Sequence, residues 1–161
     1  MYDIKLIAFP NPILKAVAEP VLESELESMK NVSSKMIEIM DEGNGIGLAG
    51  PQVNILKRII VVKCDGQNIT LLNPEITQKS GLDSVEEGCL SLKGIRIRIK
   101  RSSSITVKYL SLNGEEKILE AHGILAICIE HEIDHLQGIL IVDRAGPMKD
   151  LFLKKYFKGR K

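Results

Sequence analysis

Hydrophobic spacing divides the chain into stretches of different period. From Ser24, apolar and small residues recur at Leu26, Met29, Ser33, Met36 and Met40, the three-to-four step of an amphipathic helix. Ser24 with Glu27 reads as a capping box and Gly43-Asn44-Gly45 as a breaker, so a helix is predicted over about residues 24–42. The methionines on its face read as core filler rather than a binding surface. Before it, Pro10, Pro12 and Pro20 leave an extended, turn-rich lead-in with at most one short helical turn.

The middle follows the period of strands. Arg58–Cys64 is an apolar, β-branched run, and Asp65-Gly66 turns it toward Ile69–Leu72. Ile95, Ile97 and Ile99 alternate with Arg96, Arg98 and Lys100, and Ile105–Leu110 and Glu116–Glu120 flank the hairpin signal Asn113-Gly114. After Gly123 the period becomes helical up to Gln137, with Gly138 as the stop. Ile124, Leu125, Ile127, Ile129, Ile133 and Leu136 surround this second helix, which is therefore expected to be buried. A short last helix is predicted from Pro147 to about Phe157. Strands followed by a buried helix imply an α+β fold with antiparallel sheets.

Composition narrows the classes. The chain has 161 residues, 44% of them hydrophobic, enough for one self-sufficient domain over residues 1–161. Lys and Arg number 22 against 21 Asp and Glu, a net charge of +1, which disfavours nucleic-acid binding by bulk charge and gives no case for a specific DNA partner. Three Phe, three Tyr and no Trp provide no stacking platform for single strands. The cysteines Cys64, Cys89 and Cys128 form no disulfide pattern and suit reduced thiols. No apolar run reaches membrane-spanning length, and Met1–Ala18 resembles neither a signal peptide nor a presequence. The expectation is a soluble cytoplasmic protein, organellar only if a presequence has been removed.

His131-Glu132-Ile133-Asp134-His135 lies inside the buried helix. Residues four apart stack on one face, so both imidazoles can reach one metal ion, with Glu132 beside them to take a proton from water. Two satisfied core histidines are the plain alternative, but a buried apolar helix tolerates such polar residues only when they are paired or metal-bound. Asp134 either partners an imidazole N–H or faces solvent. A catalytic site of this kind needs a third protein ligand. Beyond the helix the only acids are Asp143 and Asp150, and no histidine follows, so the ligand patterns of the common helix-borne zinc proteases are missing. Cys128 lies on the wrong side of the helical rise and reads as an apolar wall; Cys64, at the end of a strand, reads as a buried structural thiol. Cys89, in the polar stretch Glu86-Glu87-Gly88-Cys89-Leu90-Ser91, is the preferred third ligand. His122 reads as structural.

Gly45-Ile46-Gly47-Leu48-Ala49-Gly50 matches a dinucleotide-binding pattern in letters only, because a helix precedes it and Pro51 follows. It reads better as bare backbone on which an extended peptide can pair, with the Gln52 amide near a developing oxyanion; an ordinary flexible loop is the alternative.

Taken together, Gly45-Ile46-Gly47-Leu48-Ala49-Gly50-Pro51-Gln52, Glu87-Gly88-Cys89-Leu90-Ser91 and His131-Glu132-Ile133-Asp134-His135 resemble, in order and spacing, the three signature motifs of peptide deformylases. The likeness runs from Pro10-Asn11-Pro12-Ile13-Leu14 to Val142-Asp143-Arg144. It implies antiparallel sheets packed around a central metal-binding helix, and removal of the formyl group from N-formylmethionine on nascent peptides. It also implies Cys89, His131 and His135 as ligands of one divalent ion, natively Fe²⁺, with Zn²⁺, Ni²⁺ or Co²⁺ as substitutes. By the same resemblance Glu132 is general base and then acid, while the Leu90 N–H and the Gln52 side chain stabilise the oxyanion. Ile46, Val85, Ile124, Ile127 and Cys128 line a methionine pocket with Glu87 and Arg96 at its rim, and backbone groups of Ile46 and Gly47 pair with the peptide. A monomer is expected. The chain departs from the family's pattern at Gly50, usually Ala, which is expected to loosen the loop carrying Gln52, and at Lys93, often Pro. Arg96, Arg98, Lys100 and Arg101, and separately Lys154, Lys155, Lys158, Arg160 and Lys161, read as solvated basic faces, the C-terminal group being a candidate ribosome contact. Another metal hydrolase and a non-catalytic peptide-binding protein are the competing classes.

Overall fold

The computed structural model describes residues 2–160. Helix α1, Leu26–Glu42, leads to a short strand β1, Gly47–Ala49, and then to β2, Ile59–Cys64, and β3, Gln67–Ser80. Strands β4, Asp83–Glu87, and β5, Ile97–Arg101, form a separate two-stranded antiparallel sheet. β6, Ser104–Leu110, and β7, Glu116–His122, return to the main sheet, whose antiparallel order is β1-β2-β3-β6-β7. Helix α2, Gly123–Leu136, and helix α3, Lys149–Lys158, complete the chain.

The four residues Ile59-Ile60-Val61-Val62 explain the layering. All are fully buried, and their alternation sends Ile59 and Val61 toward α1 and Ile60 and Val62 toward α2. The main sheet is therefore covered by a helix on each face. Met29, Met36 and Met40 of α1 have no exposed surface and fill one interlayer; each such burial contributes roughly 1.5–3 kcal/mol. A third cluster joins Ile97 and Ile99 of β5 to Leu14, Leu140 and Tyr156, tying the lead-in and α3 to the small sheet. Gly138 ends the α2 region at φ +72°, where a Cβ would lie 2.4 Å from the Lys15 carbonyl oxygen.

Several boundaries differ from the expectations. Ser24 and Glu27 do not cap α1; a 3₁₀ turn, Glu23–Glu25, precedes it, and Glu25 Oε2 accepts the Leu22 N–H at 2.8 Å. β3 runs eight residues past Leu72 because bulges absorb Pro74, which has no N–H to donate, and the Asn73 side chain completes pairing with Val21 through bonds of 2.8 and 2.9 Å. Cys64 is half-buried at the turn rather than in the core. Pro147 belongs to a 3₁₀ turn, Gly146–Met148, and α3 starts after it. Lys161 lies outside the described residues. Among the described residues no helix is long and apolar enough to cross a membrane.

Candidate metal centre

Helix α2 presents His131 and His135 on one face, and the turn after β4 brings Cys89 to them. Cys89 Sγ lies 3.5 Å from His135 Nε2, which lies 3.2 Å from His131 Nε2. One ligand atom from each of the three residues falls within 4.8 Å of the others. A tetrahedral ion with bonds of about 2.3 Å to sulfur and about 2.0–2.1 Å to nitrogen requires edges of about 3.6 and about 3.4 Å, which the Cys89–His135 and His135–His131 separations match.

The electrostatics fit as well. His131 Nδ1 donates to Glu87 Oε1 at 2.8 Å, which leaves Nε2 to face the other donors. Burial opposes charge on His131, yet Cys89, Glu87 and Glu132 outweigh it and push its pKa up to about 10. Surroundings that favour one positive charge on the ring would equally favour a metal cation in place of its Nε2 proton. Burial, followed by the neighbouring His131, holds His135 well below its ordinary value and hence neutral, as a ligand must be.

Glu132 is 4% exposed, its Oε1 is 4.0 Å from His131 Nε2, and its Oε2 has no hydrogen-bond partner. Burial raises its pKa to about 7, against the opposing influence of His131 and Arg101. A carboxylate so placed can exchange a proton near neutrality. Gln52 is 1% exposed; its Oε1 accepts the Ala49 N–H at 2.9 Å, and its Nε2 donates to Cys89 Sγ at 3.4 Å and Ser91 Oγ at 3.3 Å. The amide is thereby oriented with its N–H groups toward the cysteine. Gly47 permits β1 to approach α2, since a Cβ there would lie 2.6 Å from Cys128 Sγ and 2.7 Å from Glu132 Oε1.

A cleft of about 610 Å³ gathers Ile46, Gly47, Gln52, Val85, Glu87, Cys89, Leu90, Arg96, Ile124, Ile127, Cys128, His131 and Glu132. His135 lies behind this lining at 1% exposure. Ile46 and Ile124 are exposed at the mouth, so the N-terminal turn of α2 is not buried as its apolar residues suggested. A model of the polypeptide deformylase family matches residues 4–151. The chain belongs to the polypeptide deformylase family.

A peptide deformylase of Thermodesulfovibrio yellowstonii is 44% identical over 166 residues, spanning all of both chains. The crystal structure of the peptide deformylase from Thermotoga maritima superposes with a TM-score of 0.85 at 38% identity, covering 91% of this chain and 100% of that one. A class I type b peptide deformylase from Acinetobacter baumannii, with Met-Ala-Ser bound, gives 0.84 at 35% identity, over 89% and 98% of the two chains. This deformylase-family protein is a metal-dependent hydrolase that removes the formyl group from N-formylmethionine at the start of nascent polypeptides.

Three sequence readings change at this candidate centre. Glu87 is not at the rim; it is 6% exposed beneath His131 and held by Arg101 through bonds of 2.9 and 2.8 Å. Burial raises its carboxyl pKa, but Arg101 and then His131 outweigh that and hold it below the ordinary carboxylate value. Arg101 is not on a solvated face but 5% exposed, and its parity with Ile97 and Ile99 along β5 was the available signal. Asp134 neither partners an imidazole nor points freely to solvent; it binds Arg101 at 2.7 Å and Arg144 at 2.6 Å. Glu130, four residues before Asp134, carries no sequence signal of its own, and is buried accepting the Ser102 N–H at 2.9 Å and its hydroxyl at 3.0 Å. Cys128 is buried and donates to the Ile46 carbonyl at 3.4 Å, and exposed His122 meets Ser104 Oγ at 2.9 Å.

Proposed function

We propose that Cys89, His131 and His135 hold one divalent ion, Fe²⁺ natively and Zn²⁺, Ni²⁺ or Co²⁺ as substitutes, in a single catalytic domain over residues 1–161. The observation that carries this reading is the tetrahedral spacing of the three donor atoms beside buried Glu132. Bound there, the ion supplies Lewis acidity that acidifies water and polarises the formyl carbonyl.

Glu132 takes a proton from water and returns it to the departing peptide amine. The Gln52 Nε2–H and the Leu90 N–H donate to the developing oxyanion. Ile46, Val85, Ile124, Ile127 and Cys128 receive the methionine side chain, with Arg96 at the rim, and the backbone of Ile46 and Gly47 pairs with the peptide as an added strand. The edge position of β1 supports that pairing, and the Acinetobacter baumannii relative has a peptide, Met-Ala-Ser, bound.

The protein acts as a cytoplasmic monomer. Exposed Lys154, Lys155, Lys158 and Arg160 support docking of α3 on a ribosome. Salt-sensitive co-sedimentation with ribosomes, lost on deleting residues 147–161, is the expected result; no association of either form overturns it. For the reaction, anaerobically purified protein is expected to carry about one divalent ion per chain and to release formate from formyl-Met-Ala-Ser. Peptide-bond cleavage, or metal-free peptide binding, overturns the reading.

A further inference from the structure

A run of ion pairs leads from His131 to the surface, through groups that the reaction itself does not use. Glu87 accepts from His131 Nδ1 at 2.8 Å and lies in the fork of Arg101 Nε and Nη2. The remaining Arg101 nitrogen, Nη1, donates to Asp134 Oδ2 at 2.7 Å, so each of the three guanidinium nitrogens has a carboxylate partner. Asp134 then meets Arg144, whose Nη2 donates to Oδ1 at 2.6 Å and whose Nε donates to Oδ2. Side-chain exposure rises outward along this run, from 3% for Arg101 to 13% for Asp134 and 41% for Arg144.

The outer end is placed to matter. Asp134 sits on α2 between the two histidines, and a small cavity of about 200 Å³ is lined by Arg101, Ser102, Glu130, Asp134 and Arg144. Cutting back Arg144 removes two donors from Asp134 and gives water access to its carboxylate, which weakens the hold on Arg101 by screening. Arg101 is what fixes the Glu87 carboxylate under the His131 ring.

We propose that Arg144 is a positioning residue for the metal centre: by locking Asp134 it fixes, through Arg101 and Glu87, the orientation of the His131 imidazole. It touches neither substrate nor ion. The inference rests on the ligand assignment above. Failure of that assignment appears as wild-type protein without bound metal, whereas failure of this one leaves the wild type loaded.

The test is metal release from fully loaded protein into excess chelator, together with the thiolate-to-cobalt absorption of the Co²⁺-loaded form. Partners that contact a ligand directly change affinity by roughly 10–100-fold when removed. Arg144→Ala, acting further out, is expected to release metal about 3- to 10-fold faster and to shift the cobalt spectrum. Arg144→Lys, which keeps the charge but loses the fork, is expected to fall between. Lys149→Ala is the control, because it breaks the 2.6 Å pair with Asp143 in the neighbouring turn and leaves Asp134 alone. Release from Arg144→Ala at the wild-type rate, or equally fast release from Lys149→Ala, overturns the proposal.

Discussion

His131 Nδ1 and Glu87 Oε1 are 2.8 Å apart, with both side chains nearly excluded from solvent. That one bond commits Nδ1 as the donor to Glu87 and so turns Nε2 toward Cys89 and His135. The charge this arrangement buries is matched by Arg101, whose fork closes on the same carboxylate.

Replacing Glu87 with Gln keeps an acceptor for His131 but presents an amide N–H to Arg101, two donors facing one another. Metal affinity is expected to fall about 10–100-fold, measured by chelator competition. Arg101→Ala instead leaves the buried Glu87 carboxylate without its guanidinium and with His131 as its remaining partner, so a stability loss of about 3–5 kcal/mol is expected in denaturant titration. Unchanged metal affinity in Glu87→Gln would show that the carboxylate does not orient the ligand.

Glu132→Gln preserves shape while removing the proton acceptor. The variant is expected to bind metal as the parent does and to lose about 10²–10⁴-fold in formate release. Near-normal deformylation by a metal-loaded variant would remove Glu132 from its assigned role.

Part of this candidate centre is legible in the sequence. His131 and His135 declare themselves by their spacing on one helix face, and Cys89 by its polar, glycine-containing surroundings. What could not be read were pairings between elements distant in sequence. Glu87 meets His131 across 44 residues and Arg101 meets Asp134 across 33, and no local pattern encodes either contact. Arg101 misled for a different reason: its charge argued for solvent, while its strand parity with Ile97 and Ile99 pointed inward. Parity prevailed because Glu87 and Asp134 supply compensating charge at the buried end. β3 continues past Leu72, the expected end of its strand, because the bulges absorb Pro74.

Asp143 links three parts of the chain: its carboxylate accepts from Lys15, from Lys149 at 2.6 Å and from the Leu140 N–H at 2.8 Å. Burial pushes its pKa up, but these partners outweigh burial and bring it from the ordinary 3.8 down to about 2. The folded protein thus holds this proton less tightly than the unfolded chain. The stabilisation is present above pH 3.8 and is lost as pH falls toward about 2. Asp143→Asn is expected to lower stability at pH 7, with the difference from wild type closing between about pH 4 and 2. A difference that stays constant across that range would exclude the ionised carboxylate as its source.

Gly50 was expected to loosen the loop carrying Gln52, because the family resemblance puts Ala there. The packing argues the reverse. Gly50 is buried, its carbonyl accepts the Ile55 N–H at 2.9 Å, and a Cβ on it would lie 2.6 Å from both the Ile55 and the Lys57 carbonyl oxygens. Those oxygens belong to backbone and cannot swing aside as a side-chain tip can, so the segment after Gln52 closes tightly over a residue without a side chain. Gly50→Ala must push that segment outward. A loss of about 1–3 kcal/mol is expected in denaturant unfolding, offset in part by the reduced freedom of the unfolded chain. Because Gln52 lies two residues on, formate release is also expected to fall in the metal-loaded variant, while metal content stays unchanged. Equal or greater stability of Gly50→Ala would show that the segment yields at little cost and that the close fit is not a constraint.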